Sequence, residues 1–345
     1  MPSLSFGDII SQFAGPKPEG ETATSEADVW FKDFMVWLEG RYEKTVHAPR
    51  KPGLHASSLN KLCGRRRLLI SAFGENQVPH TAGNYLTFDV GHAMHFWWQE
   101  RYLGPKQELI GDWVCVGCPC PECGPLVELA TCREDRIAIY KSCSSCRGTG
   151  GKVTRGLMPL KCECGKPWQE SVHYLELPVV NEELNYVGHT DGLLKHKPKP
   201  RIFEFKTISV SEYEKHFVKK KNPVPLEDHV VQAHAYMAPL GLDEAIIVYE
   251  NKGSQCKWKV NMFGQFEALE TKLKTFLIKF DNAIWDPIVA RIHEDHRAVA
   301  ALQVILDEKR TPSREEIAEF PRICSDKNCN LAARCALSRE CFSLD

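Results

Sequence analysis

Asp191, Glu204 and Lys206 are the residues of this 345-residue chain whose types and spacing best suit chemistry. Asp191 closes the run Gly188-His-Thr-Asp191, and Glu204-Phe-Lys206 follows beyond a turn-prone stretch at 196–200. Residues 186–194 and 201–208 both read as strands, so an antiparallel pair can bring the two carboxylates to one end of a sheet. Carboxylates placed in that way suit Mg²⁺ or Mn²⁺, which prefer oxygen ligands and keep several waters. Lys206 lies two residues beyond Glu204 and therefore faces the same side of a strand. It can polarise an attacking water or steady charge developing on phosphorus. Such a set implies metal-assisted hydrolysis of a phosphodiester, although an E-x-K by itself is more often a solvated strand edge.

Cysteine is the second signal, with fifteen in the chain. No secretory signal or transmembrane run is legible, so the cysteines argue for metal ligation in a reducing compartment, and a cytoplasmic location is expected. Cys63, Cys324, Cys329, Cys335 and Cys341 lie toward the two ends of the chain. Cys115, Cys118, Cys120, Cys123, Cys132, Cys143, Cys146, Cys162 and Cys164 fall in one central stretch. There, short C-x2-C and C-x-C knuckles with nearby glycines match the turns of zinc ribbons, because glycine tolerates close approach of the backbone to a metal. Zinc is therefore expected on these knuckles. Cys256 stands alone in a strand-like run and reads as a small buried hydrophobe.

The elements that must position these groups follow from periodicity. Ser57 is placed to cap a helix over 59–73, and residues 87–102 read as a helix carrying His92 and His95. Strands are expected at 172–180, 186–194 and 201–208, and a helix at 226–238. Residues 244–250 and 256–261 read as a hairpin turned by Asn251-Lys-Gly253, and 265–304 as a long helical stretch broken near Pro287. The expected organisation is an amphipathic segment and linker (1–26), an N-terminal helical part (27–112), a zinc-binding insert (113–168), a catalytic core (169–262) and C-terminal helices with a cysteine segment (263–345).

Together these residues resemble the RecB-like branch of the PD-(D/E)XK nuclease superfamily. Asp191 falls on the family's metal-binding Asp, Glu204 and Lys206 on its E-x-K pair, and Gln232-Ala-His-Ala-Tyr236 on its Q-x-x-x-Y helix motif. Thr190 stands where the superfamily's name puts proline. Gly91-His-Ala-Met-His95 fits a helical G-x-x-x-H whose His is a further metal ligand; His92 is the rival, and Gly91 favours His95. The fold implied is α/β, a restriction-endonuclease-like mixed sheet flanked by helices. The site implied is catalytic Asp191, Glu204, Lys206 and His95, with the Phe205 carbonyl as another metal ligand. Gln232 and Tyr236 would hold the substrate strand or support the site. The terminal cysteines resemble the family's iron–sulfur staple, which implies a 4Fe–4S cluster on Cys63, Cys324, Cys329 and Cys335 with Cys341 spare. Their spacing departs from the family's usual C-x2-C-x5-C, and four cysteines suit tetrahedral zinc as well. The middle knuckle, Cys143-Ser-Ser-Cys146-Arg-Gly-Thr-Gly150, resembles the repeat of DnaJ-type chaperones. That likeness would pair Cys120 and Cys123 with Cys143 and Cys146, and Cys115 and Cys118 with Cys162 and Cys164.

The resemblance implies a metal-dependent DNA exonuclease of recombination, repair or replication, with single strands favoured and 5′-to-3′ polarity carried over, in a prokaryotic or phage-infected cell. The rival class is a non-catalytic DNA-binding adaptor, which the joint presence of Asp191, Glu204 and Lys206 disfavours. A net charge of −1 gives no global field for gripping DNA, so positive charge must act locally. Lys219, Lys220 and Lys221 are the cluster best suited to phosphate contact. No G-x-x-x-x-G-K-[ST] is present, which excludes P-loop ATP hydrolysis. Leu4, Phe6, Ile9, Ile10 and Phe13 form an apolar face tethered by residues 15–26. It suits docking on a helicase, polymerase or single-strand-binding protein, or packing back on its own body; no membrane partner is expected.

Overall fold

The computed structural model describes residues 32, 33, 36, 53–74, 82–115, 152–160, 172–253, 258–260, 266–268, 273–324, 332, 335 and 337–344. The apolar N-terminal segment, Cys118, Cys120, Cys123, Cys132, Cys143, Cys146, Cys162, Cys164, Cys256 and Cys329 lie outside the described residues. Two compact units are present, Met1–Arg50 with His80–Leu86, and Lys51–Pro79 with Thr87–Asp345. The second holds the sheets.

In chain order the described strands are β1 (Leu54–His55), β2 (Leu109–Cys115), β3 (Lys152–Leu157), β4 (Val172–Leu175), β5 (Leu177–Asn181), β6 (Tyr186–Thr190), β7 (Gly192–Leu194), β8 (Arg201–Ile208), β9 (Glu244–Asn251), β10 (Trp258–Val260), β11 (Phe266–Ala268) and β12 (Leu273–Lys279). The helices are α1 (Gly64–Phe73), α2 (Ala82–Phe96), α3 (Val210–Tyr213), α4 (Glu227–Leu240), α5 (Asn282–Asp307), α6 (Arg314–Ala318) and α7 (Ser338–Phe342). A 3₁₀ turn, Ala56–Lys61, precedes α1, and a π-type turn, Trp97–Leu103, continues α2.

Seven strands make a mixed sheet ordered β12-β9-β8-β7-β2-β3, with β4 also paired to β2. β8 and β9 run parallel, and the other pairs of this sheet antiparallel. β8 is central, and residues 202–205 are buried without a break because both of its faces are covered. Ile202 and Ile208 enter a core shared with α4 and α5, while Phe203 and Phe205 enter a second with Trp113, Tyr174 and Trp98. A third core packs Leu68 and Leu69 of α1 against α5, Ile317 of α6, Phe320, Leu337 and Cys341. The mixed α/β class expected from sequence is the class observed.

Three local expectations are corrected. Ser57 caps nothing: the 3₁₀ turn begins after His55 with no side-chain cap, and the Ser58 hydroxyl donates to the His55 carbonyl at 2.9 Å. The stretch 265–304 is not one helix, because β11 and β12 precede α5, and α5 runs through Pro287 unbroken. Phe276, Ile278 and Phe280 alternate into the core, the two-residue period of a strand. The expected hairpin also fails: β9 pairs with β8 and β12, whereas β10 pairs with β11. Among the described residues no helix is long and apolar enough to cross a membrane.

Candidate active site

The run 186–194 is one strand in sequence but two in space. β6 belongs to a three-stranded sheet with β1 and β5, β7 belongs to the large sheet, and Asp191 is the residue between them. The run 172–180 divides in the same way, β4 in the large sheet and β5 in the small one, with Glu176 at the break. β5 and β6 are antiparallel with Leu177 opposite Thr190, so one step further along that register Glu176 stands opposite Asp191. Gly192, at φ +147°, makes the turn possible; a side chain there would meet Leu109 Cδ1 at 2.4 Å and Tyr174 Oη at 2.7 Å.

His95 reaches this break from α2, its Nδ1 3.1 Å from Asp191 Oδ1. Phe205 meets the imidazole edge-on, with ring centroids 5.0 Å apart. One turn later Gln99 donates to the Asp191 carbonyl at 3.0 Å, and the Trp98 indole donates to Glu250 at 2.8 Å. These contacts hold the helix against the sheet. His92 is exposed on the same helix, so the geometry selects His95. His95, Glu176 and Asp191 each offer a ligand atom within 4.8 Å of the others.

Glu204 and Lys206 form an ion pair beside this group, and the Phe205 N–H donates to Asp191 Oδ2 at 2.7 Å. Glu204 is only 1% exposed, and its buried Oε2 has no hydrogen-bond partner among the described residues. Burial, opposed by Lys206 but reinforced by the Asp191 charge, pushes its carboxyl up to about 8. Burial also works against ionised Asp191, but His95, Lys206 and the Phe205 N–H outweigh it and hold that carboxyl low. The Asp191 carboxylate likewise raises His95 despite burial. A histidine, two clustered carboxylates and a third with an orphaned oxygen are a donor set that a hard divalent cation satisfies.

Gln232 and Tyr236 of α4 are buried and bonded in series. The Gln232 amide donates to the Tyr236 hydroxyl at 2.8 Å, which donates to the His189 carbonyl at 2.8 Å. They thus brace β6 two residues before Asp191, a supporting position. Gly188 makes room for this: a Cβ there would lie 2.6 Å from the Tyr236 ring and 2.8 Å from Ala56 Cβ. Lys219, Lys220 and Lys221 are exposed just beyond the turn Glu214–Val218. Glu176 is the residue that sequence reasoning missed. Its one signal was a charged residue interrupting an apolar strand, which means little until the register places it opposite Asp191.

No protein-family model matches the chain, and no curated protein matches it. Solved structures with partial likeness include an alkaline exonuclease from Laribacter hongkongensis, 15% identical at TM-score 0.28 over 39% of this chain and 62% of that one. Another is a phage-related exonuclease from Haemophilus somnus 129PT, 11% identical at TM-score 0.30 over 74% and 96%. A third, designated SSO0001, is 13% identical at TM-score 0.35 over 89% and 96%. The chain thus spans 62% of the length of the Laribacter enzyme it matches. At these TM-scores the likenesses carry no weight for function, which rests on the geometry of the site.

Proposed function

We propose that this chain is a divalent-metal-dependent nuclease of the RecB-like PD-(D/E)XK type that hydrolyses phosphodiester bonds at DNA ends. The observation that carries the reading is the meeting of His95, Glu176 and Asp191 at one point, with Lys206 and the orphaned oxygen of Glu204 beside it. In this reading His95, Asp191 and Glu204 hold Mg²⁺ or Mn²⁺ with the Phe205 carbonyl, and Glu176 adds a ligand. Such an ion supplies Lewis-acid activation of water and of the phosphate. Lys206 orients the water and offsets charge as the phosphorus is attacked. The bond from phosphorus to the 3′ oxygen breaks, leaving a 5′-phosphate and a 3′-hydroxyl. Gln232 and Tyr236 hold the Asp191 strand in place, and Lys219, Lys220 and Lys221 receive backbone phosphates.

The finer reading is an exonuclease preferring single strands, with an iron–sulfur cluster at the terminal cysteines and two Zn²⁺ ions in the insert. A helicase, polymerase or single-strand-binding protein is proposed to engage the N-terminal segment. The test is digestion of end-labelled single- and double-stranded DNA, and of closed circles, by anaerobically purified protein with Mg²⁺ or Mn²⁺. Metal-dependent shortening of linear DNA with circles spared supports the reading. Cleavage of circles would convert it to an endonuclease. DNA binding without any metal-dependent cleavage would replace it with the adaptor.

A further inference from the structure

Beyond Phe96 the helix that delivers His95 widens into the π-type turn Trp97–Leu103, where the Gly104 N–H donates to the Gln99 carbonyl, five residues back, at 2.9 Å. In an α-helix, side chains five residues apart diverge by about 140°, whereas π winding sets them nearly over one another. Trp97 and Tyr102 use that spacing: their rings stack with 5.6 Å between centroids and 10° between planes. Trp98 meets both edge-on, 5.5 Å from Trp97 and 5.2 Å from Tyr102, and its indole N–H is anchored on Glu250. Trp98 and Tyr102 pack against the second core, so the stack has a fixed base. Trp97 stands on that base and remains 52% exposed. Arg101 and Lys106 are exposed on the same stretch, and the Lys106 ammonium lies 3.8 Å from the centre of the Tyr102 ring. Glu100, the acid of the turn, is withdrawn: it is 7% exposed, accepts the Tyr174 N–H at 2.9 Å and lies 3.1 Å from His173 Nδ1. An exposed apolar side chain is ordinary on a protein surface. A half-exposed indole whose orientation two further rings fix is different, because its ordering entropy is spent before any ligand arrives.

We infer that Trp97 is a stacking platform for a base of single-stranded nucleic acid, with Arg101 and Lys106 receiving the phosphates that flank it. Every base carries a flat π-face and every phosphate a negative charge, and the turn shows solvent an aromatic face flanked by cations. Inside a duplex each base face is covered by its neighbours, so a platform of this kind selects unpaired bases. Trp97 and His95 are two residues apart on one continuous helix, which sets their Cα atoms about 5 Å apart. A strand with a phosphate at the candidate metal centre therefore brings neighbouring nucleotides close to the platform. The inference deepens the nuclease reading by naming the form of nucleic acid taken, and it rests on that reading for the path of the strand.

The test uses the full-length chain in Ca²⁺, so that binding is read apart from cleavage. Fluorescently labelled oligonucleotides, single-stranded and duplex, are titrated against wild type, Trp97→Ala, Trp97→Phe and Lys106→Ala, with circular dichroism and Mn²⁺ titration as checks on the fold and the metal centre. Trp97→Ala is expected to weaken single-strand binding about tenfold with little change on duplex, and Trp97→Phe to weaken it less. Lys106→Ala is expected to make affinity less dependent on salt. An abasic position moved along the oligonucleotide locates the stacked base: there, the abasic site and Trp97→Ala are expected to cost no more together than either does alone. Unchanged single-strand affinity in folded Trp97→Ala would overturn the platform, as would an equal loss on duplex. Should Trp97→Ala not fold, photocrosslinking of wild type to single strands carrying iodouracil decides the matter; crosslinks at Trp97 support the platform, and their absence at every position of the base overturns it. Wild type that binds single strands through Trp97 but never cleaves DNA would remove the nuclease reading and leave the platform standing. Wild type that cleaves DNA, with Trp97→Ala binding and cleaving as well, would do the reverse.

Discussion

A carboxylate with one oxygen in an ion pair and the other facing no donor is costly to bury, and Glu204 is such a group. The cost makes sense if a cation is the missing partner. Lys206 then has two duties, balancing Glu204 when the metal is absent and meeting the phosphate when substrate arrives. Asp191→Ala and Lys206→Ala are each expected to reduce cleavage by at least about 10²-fold while DNA affinity stays within a few fold. Initial rates and electrophoretic shifts in Ca²⁺ check this, and undiminished digestion by pure Asp191→Ala protein would remove the site from consideration. Glu176→Gln is expected to weaken Mn²⁺ binding by about tenfold or more, measured by calorimetry; unchanged affinity would exclude Glu176 from the ligand set. Asp191, Glu204 and Lys206 were legible in the sequence because their motif is local. Glu176 was not, because its partner lies across a strand pair and no spacing rule in one dimension joins the two.

Among the elements, the decisive device is a hairpin, β5–β6, whose two strands leave one sheet and continue into another at matched positions. The two runs were read from the sequence as single strands, because Pro178 two residues past Glu176 and Gly192 just after Asp191 are breaks too slight to show a change of sheet. β8 and α4 were legible almost to their ends, because consecutive burial and helical periodicity are local properties. β12 was read as helix, since its seven residues adjoin a true helix and its alternation is short. α4 also makes stability depend on pH through His229. His229 Nδ1 is 2.8 Å from the Tyr249 hydroxyl, and burial, aided by the Lys206 charge, lowers its imidazole from 6.5 to about 3. Lys61 adds to that lowering and Asp228 opposes it. The unfolded chain therefore binds one more proton than the folded one between those values, so stability falls as pH drops from about 6.5 toward 3. Urea midpoints at pH 7 and pH 5 are expected to differ more for wild type than for His229→Gln. Equal pH dependence in the two would show that His229 is not held neutral.

On the scale of the whole molecule, α1, next to Cys63, packs against the C-terminal helices α5, α6 and α7, and the Arg67–Asp295 ion pair ties α1 to α5. β2 ends at Cys115 and β3 begins at Lys152, and these two residues are register partners. β4 then resumes at Val172, on the other side of the same Cys115. The large sheet is thus left at Cys115 and resumed at its register partner Lys152, and β3 lies within the span the sequence assigned to the insert. Replacing 116–151 with a short type I′ turn, together with Cys162→Ser and Cys164→Ser, asks only that β2 and β3 be joined as a tight hairpin. The variant is expected to unfold cooperatively, to bind Mn²⁺ as wild type does, and to keep its kcat on a short oligonucleotide. Its KM for long DNA is expected to rise if the insert engages substrate. Circular dichroism melts and Mn²⁺ titration separate the outcomes: a variant that no longer folds would make the insert part of the core's stability, and one with wild-type KM on every DNA length would leave the insert to a protein partner.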